Sequence, residues 1–277
     1  MSDRPLDSDV LRYQRYWEPV LAPAAQRLLE RIIEPPNVLL DVGAGTGSLT
    51  LAAAARWPEA RLIVLDASGA MLRVARERAA ESPSGDTERF SWLSADARDM
   101  PLADDTVDAA VSSFVLQTVD DRSRLLGEVR RVLRPGGVFA FVTWLADDIR
   151  MAADEAYDDV LRELGLAANG APLRSPRAGD YTSIDEARTE LRAVGFTYVE
   201  VWNDTLHARW TPEAYLDFKE RYDDHERFEE LDEPAREQLR SRLLVAWADL
   251  PESAFEVRSP LVGGLGRAPS ASETHGY

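Results

Sequence analysis

The chain has 277 residues, 45% of them hydrophobic, which is enough for one large core or a core with a lid. Its formal charge of −17 repels nucleic acid and anionic membrane surfaces, and no stretch approaches the ~20 apolar residues of a membrane span. Without cysteine there is no disulfide framework, thiolate metal site or cysteine nucleophile, and His207, His225 and His275 lack metal-ligand spacing, so no metal is expected.

The polar opening stretch carries no apolar segment of signal-peptide type, so a cytoplasmic location is expected. Residues 8–33 have apolar positions near helical spacing (Val10, Tyr13, Trp17, Leu21, Ala25, Leu28, Leu29, Ile32), which predicts one or two helices stopped by Pro35-Pro36. Strands and helices then alternate: strand 37–42, helix 47–57, strand 61–66, helix 69–81, strands 89–94 and 106–113, helix 121–133, strand 137–144. Such alternation predicts a parallel sheet with helices on both faces. Arg134-Pro135-Gly136-Gly137 is expected as a sharp turn into the last of these strands.

Beyond Trp144 the pattern changes. Residues 150–165 read as a helix and 166–182, which include Arg174 and Arg177, as a loop. A capping-box spacing at Ser183–Glu186 opens another helix, which Gly195 stops. A strand is expected over Tyr198–His207, a helix after the Thr211 cap, an amphipathic helix over 234–248 and a last strand over Val257–Leu265. The tail from Arg267 is small and polar and reads as frayed. The two segments that break the alternation, 1–34 and 211–250, are candidate covers for a crevice at the carboxyl ends of the strands, or else shields for the sheet's faces.

The chemistry centres on residues 38–48, Val-Leu-Leu-Asp-Val-Gly-Ala-Gly-Thr-Gly-Ser. An apolar strand ends in Asp41, breaks into a turn with Gly43, Gly45 and Gly47, and enters an Ala-rich helix. Glycines let backbone lie against a ligand, and the amides opening the helix favour negative charge. The G-x-G-x-G spacing departs from the dinucleotide fingerprint G-x-G-x-x-G. Asp66 ends the second strand, where a carboxylate accepts both hydroxyls of a ribose diol or else caps the next helix, a role open to Ser68. Asp96 follows the third strand and suits an adenine amino group, or a plain turn. Ser113-Phe114-Val115-Leu116-Gln117 ends the fourth strand near the crevice.

In this order the motifs resemble the class I S-adenosylmethionine-dependent methyltransferases, in the broad small-molecule group that includes the quinone-ring methyltransferases. The resemblance covers about residues 37–145, and Tyr13-Gln14-Arg15-Tyr16-Trp17 is similar to the N-terminal lid helix of that group. It implies a Rossmann-like α/β sheet in the order 3-2-1-4-5-7-6 with an antiparallel final strand, Tyr198–His207 and Val257–Leu265 being the last two. It also implies an N-terminal helical lid over 1–34, an S-adenosylmethionine-binding core over 35–149, the rest of the sheet with a helical substrate cap over 150–266, and a flexible tail over 267–277. Carried over residue by residue, Asp41, Gly43, Ala44, Gly45 and Thr46 would border the methionine part of S-adenosyl-L-methionine. Asp66 would hold the ribose, Ala67 and Met71 would pack near the adenine, and Asp96 and Ala97 would bind its edge. Ser113 and Phe114 would lie alongside, with Tyr16 closing over the cofactor. Gln117 stands where many relatives have histidine, which puts a proton-transfer role there in doubt.

Methyl transfer from a sulfonium expels a neutral thioether, so no acid is required and the catalytic residue is not identifiable from sequence. Acceptor-side candidates are Tyr13, Tyr16, Trp17, Phe114, Gln117 and Trp144, with His207 the one histidine to test as a base. The expected partner is a small apolar or aromatic acceptor, with no nucleic acid and no membrane insertion, as a monomer or homodimer. A non-catalytic S-adenosylmethionine-binding protein and a nicotinamide-dependent oxidoreductase are the alternatives. The glycine spacing, Asp96 and the lack of a second mononucleotide-binding half all oppose the oxidoreductase.

Overall fold

A computed structural model describes residues 8–82, 87–147, 150–166, 179–270 and 272. The expected loop positions Arg174 and Arg177, His275 and most of the expected tail lie outside these residues. Five strands, β1 (Val38–Val42), β2 (Arg61–Asp66), β3 (Phe90–Ser94), β4 (Val107–Ser113) and β5 (Leu133–Trp144), run parallel. With β6 (Thr197–Arg209) and β7 (Glu256–Arg267) they form one sheet in the order β3-β2-β1-β4-β5-β7-β6. The last strand, β7, is antiparallel to both neighbours. This is the Rossmann-like class I order expected from the sequence.

The central strands are apolar on both sides because helices cover both faces. Leu39, Leu40 and Val42 of β1 have no exposed surface. On one face α2 (Glu18–Arg31), α3 (Ser48–Arg56) and α4 (Gly69–Ala80) bury Leu28, Leu49 and Leu72. On the other, α5 (Arg122–Val132) and α7 (Ile184–Ala193) bury Leu125, Val129 and Leu191. The first helix, α1 (Ser8–Arg12), joins α2 through a π turn over Tyr13–Trp17.

A third cluster lies apart from the sheet. It is built by α6 (Ala152–Glu163), α8 (Pro212–Phe218), a second π turn (Lys219–Asp223), α9 (His225–Glu230) and α10 (Glu233–Trp247) around Tyr157, Tyr215, Leu239, Leu243 and Trp247. Thr211 caps α8 by accepting from the Ala214 amide, and Asp232 caps α10 in the same way. Tyr16 and Trp17 pack against this cluster, so the N-terminal helices and the 211–250 helices make one continuous roof.

The turn expected at 134–137 falls inside β5 rather than before it. Leu133 already pairs with Val107, and Val138 pairs with Ala109, so residues 134–137 bulge from the ladder around Gly136 at φ +80°. Asp108 holds this corner, accepting from the amides of Asn37 and Val38 at 2.9 and 2.8 Å and from the Arg134 guanidinium at 2.6 Å.

Candidate active site

The strand ends of β1, β2 and β4 and the loop after β3 open on a cavity of about 440 Å³, within the range of small-molecule sites. Its walls include Gly43, Gly45, Asp66, Ala67, Met71, Asp96, Ala97, Ser113 and Phe114, all expected from sequence. Tyr13, Leu65, Ser68, Arg98, Val115, Thr118, Val119 and Asp120 complete them. Of these the sequence marked Tyr13 as an acceptor-side candidate, Ser68 as a helix cap and Val115 as part of a strand end near the crevice, while the others carry no signal beyond lying next to such an end.

The glycine turn is set by backbone demands. Gly43, Gly45 and Gly47 all have positive φ, at +71°, +55° and +83°. The amides of Gly43 and Ala44 donate to the Leu65 carbonyl at 2.8 and 3.0 Å, tying the turn to β2. A Cβ on Gly43 would stand 2.3 Å from the Val115 side chain, whereas one on Gly45 would meet no protein atom within 4 Å. Gly45 therefore lets the backbone face the cavity, where a ligand can approach it.

Asp66 is not the cap of α4. Ser68 takes that role, its hydroxyl accepting from the Met71 amide at 3.3 Å. The Asp66 carboxylate accepts one amide on each oxygen, from Gly45 at 2.8 Å and Ser68 at 2.7 Å. This holds it rigidly at the cavity wall with acceptor capacity on both oxygens to spare. Asp96 is gripped by Arg98, whose amide and guanidinium both donate to it, at 2.8 Å and 2.7–3.1 Å. Those bonds push its carboxyl down to about 2, so it stays an acceptor at any working pH.

Asp41, Ala44 and Thr46 do not line the cavity. Asp41 is 3% exposed, one oxygen accepting from the Thr50 hydroxyl and the other, Oδ1, having no partner. Burial drives its carboxyl up to about 7 despite the Thr50 bond. Thr46 is buried behind the turn, where its hydroxyl donates to Glu18. Arg78 completes this knot, donating to Glu18 at 2.9 Å and to the Thr46 carbonyl at 2.8 Å. The glycine turn is thereby pinned to the first turn of α2 and to α4, a link the sequence did not signal.

Tyr16 also turns away from the cavity, correcting the expectation that it closes over the cofactor. Its hydroxyl donates to Asp217 at 2.9 Å on the roof, and Tyr13 lines the cavity instead. The reason is the π turn. In an α-helix residues three apart share a face, but the wider winding over Tyr13–Trp17 splays them apart. Burial raises the Tyr13 hydroxyl pKa, aided by Glu18, Tyr222 and Asp66, so it remains a neutral donor.

From the cavity wall at Phe114 a run of packed aromatic rings leads toward the roof. Phe114 adopts φ +56°, an uncommon conformation for a bulky residue, and its ring lies 5.1 Å from Trp144. Trp17 stacks on Trp144 at 6.3 Å and meets Phe218 and Tyr222 of the roof at 5.7 and 6.3 Å. Gln117 braces Phe114: its amide donates to the Phe114 carbonyl at 2.6 Å, and its carbonyl accepts from the Thr143 hydroxyl. Both ends of Gln117 are thus engaged. His207 stands 54% exposed on β6, 3.6 Å from Glu256, and does not line the cavity. Among the described residues no cluster of side chains fits a metal ion, and no helix is long and apolar enough to cross a membrane.

A family model described as a methyltransferase domain matches residues 40–141. The chain is 32% identical over 195 residues to a malonyl-[acyl-carrier protein] O-methyltransferase of Geobacter sulfurreducens, covering 66% of this chain and 67% of that protein. The chain belongs to the class I S-adenosylmethionine-dependent methyltransferases.

This methyltransferase is also 41% identical over 146 residues to a ubiquinone/menaquinone biosynthesis C-methyltransferase of Acidiphilium cryptum, covering 52% of this chain and only 55% of that protein. A solved structure of a Haemonchus contortus phosphoethanolamine N-methyltransferase, in complex with S-adenosylhomocysteine, shares the fold at TM-score 0.57 and 18% identity. That likeness covers 94% of this chain and 57% of the other. The methyltransferase uses S-adenosyl-L-methionine, which supplies an electrophilic methyl group on a sulfonium when bound. The observed cleft suits it: an unpaired buried Asp41 oxygen lies behind a glycine turn that leaves room for a ligand, with a rigid Asp66 beside it.

Proposed function

We propose that this methyltransferase acts on a small apolar or aromatic acceptor, held against the ring wall of Phe114, Trp144, Trp17 and Tyr13. The observation that carries this reading is the run of rings from the cavity wall at Phe114, through Trp144 and Trp17, to Phe218 and Tyr222. Phe114 and Tyr13 offer apolar ring surface on the cavity wall, and the packed rings behind Phe114 hold it in place for a planar acceptor. Residues 1–34 serve as the lid, 35–149 as the cofactor core and the helices over 211–250 as the substrate cap. Closed together, they exclude water from the reacting groups.

Within the core, Asp66 takes the ribose hydroxyls, Ala67 and Met71 flank the adenine, and Asp96 and Ala97 meet its edge. Gly43 and Gly45, through their backbone, border the methionine portion, with Asp41 behind the turn as counter-charge to its ammonium. Ser113 and Phe114 lie alongside, and Tyr13 takes the covering role expected of Tyr16. The chain's contribution to the chemistry is alignment, since a neutral thioether leaves without protonation. Neither Tyr13, kept protonated by burial, nor Gln117, bonded at both ends, is poised to remove a proton.

A screen with labelled methyl donor against quinones, phenols, amines and carboxylic acids tests the acceptor class. Transfer to quinones or phenols is the expected result, and transfer confined to aliphatic acids or amines would overturn it. Asp66→Ala is expected to weaken S-adenosylhomocysteine by ~1–3 kcal/mol in calorimetric titration. An unchanged dissociation constant in a folded variant would remove Asp66 from the site.

Asp41 gives a pH dependence. Its folded-state carboxyl titrates at about 7 against an ordinary 3.8, so between these values the folded protein holds a proton that the unfolded chain has released. Stability without ligand therefore falls as pH rises through this window, by at most about 1.4 kcal/mol per pH unit. A bound ammonium favours the ionised carboxylate. Affinity for S-adenosylhomocysteine is thus expected to rise with pH up to about 7 and then level off. Titrations from acid to neutral pH check this, and Asp41→Asn should flatten the profile.

A further inference from the structure

The outer side of the N-terminal π turn borders a second, open cavity of about 500 Å³, lined by α1, both π turns, α9 and α10. In a chain of net charge −17, its walls carry Arg12, Arg15, Arg221, Arg236 and Arg240 against Glu220 and Glu229. Three of these arginines are spent. Arg12 pairs with Asp9 and Glu229, Arg240 with Glu220, Glu233 and Glu237, and Arg236 with Glu233 and the carbonyls of Phe228 and Leu231.

The other two keep donors in reserve. Among the described residues, Arg15 makes no hydrogen bond or ion pair, and its guanidinium lies 5.3 Å from the centroid of the Tyr16 ring. Arg221 spends only Nε, on Asp217 at 2.6 Å, which leaves both terminal nitrogens without a partner among the described residues. Both side chains border the same cavity and the same tyrosine: Arg15 lies over the Tyr16 ring, and the Tyr16 hydroxyl shares Asp217 with Arg221 Nε. His225 lines the same cavity with Nδ1 on the Tyr222 carbonyl at 2.8 Å.

We propose that Arg15 and Arg221 form a two-armed clamp for an oxyanion, phosphate or carboxylate, on the outer face of the Tyr13–Trp17 turn. Planar guanidinium forks match the paired oxygens of either group, and their unspent N–H donors would make charge-assisted bonds. Glu220, Glu229 and Asp217 are the acidic groups that oppose an anion here, and all three already accept from arginines. The anion is either free phosphate or the carboxylate end of an organic acid. The proposal does not rest on the acceptor class.

Calorimetric titration of the full chain with inorganic phosphate, at constant ionic strength set by sodium chloride, tests the clamp. Saturable binding is expected, weakened at least tenfold by Arg15→Gln or by Arg221→Gln and lost in the double variant, with affinity for S-adenosylhomocysteine unchanged. A parallel titration with citrate distinguishes the sources: the tighter of the two ligands, provided the variants weaken it, identifies the group the clamp takes. No saturable binding of either ligand, or binding that survives the double variant, would overturn the proposal.

Discussion

Lys219→Met is expected to destabilise the methyltransferase by about 3–5 kcal/mol, because it strands two carboxylates inside the roof. Lys219 is the chain's single lysine, and it is 1% exposed. Its ammonium bonds Asp154 at 2.7 Å and Asp223 at 2.9 Å, and it lies 4.9 and 5.2 Å from the ring centroids of Tyr157 and Tyr215. Tyr215 donates its hydroxyl to Asp154, and Tyr157 donates to Asp224 at 2.8 Å. Burial alone would drive the ammonium toward neutrality, but Asp223 and Asp154 together outweigh it and the net shift is upward. Methionine keeps much of the volume and removes the cation that, among the described residues, alone contacts both acids.

A chain of this size loses about 2–4 °C of melting temperature per kcal/mol, so the variant should melt roughly 10 °C lower. Replacing Asp154 and Asp223 by asparagine in the same protein should recover much of that loss, because uncharged partners need no counter-ion. Thermal denaturation of the three proteins decides the matter. A variant as stable as the parent would show that the carboxylates find other partners. The effect should reach the acceptor side too, since Lys219 opens the π turn that carries Tyr222 and follows Phe218, both packed on Trp17.

Gly43→Ala is the second large effect, and Gly45→Ala is its control. At Gly43 two costs add. The residue sits at φ +71°, where a Cβ costs ~1–2 kcal/mol, and overpacking against a β-branched neighbour adds ~1–3 kcal/mol. The neighbour is Val115, only 2.3 Å from the new methyl group and immediately after the strained Phe114. A loss of about 2–5 kcal/mol in denaturant unfolding is expected, with weaker cofactor binding as the turn shifts. Gly45 carries the left-handed cost but no clash, because a Cβ there meets no protein atom within 4 Å. Its alanine variant should therefore lose less stability, yet still lose cofactor affinity as the methyl group projects into the cleft. Equal stability losses in the two variants would contradict this division.

The glycine turn and strand-end acids of the cleft were legible in the sequence because their demands are local. A turn with three positive-φ residues requires glycine at those positions, and a carboxylate at a strand end marks itself by spacing alone. Asp66 and Asp96 come out where the pattern put them, on the cavity wall. The errors arose where a side chain's direction depends on something other than spacing. The family resemblance implied a covering role for Tyr16, whereas along the π turn it is Tyr13 that lines the cavity. Thr46 reads as a ligand-bordering hydroxyl until Glu18, from a helix 28 residues earlier in the chain, takes its hydrogen.

Taken alone, the sequence determined the alternating sheet, the glycine turn and the strand-end acids, which follow from backbone geometry and periods of a few residues, and their order carried the family resemblance that implied the cofactor. Only the tertiary structure decided the packing of the aromatic rings, the buried Lys219 cluster and the arginine-lined cavity. Trp17, Phe114, Trp144 and Phe218 meet through packing between positions 30 to 201 residues apart, and Lys219 finds Asp154 across 65 positions. No local pattern encodes such contacts, because burial and pairing energies depend on which surfaces the folded chain brings together.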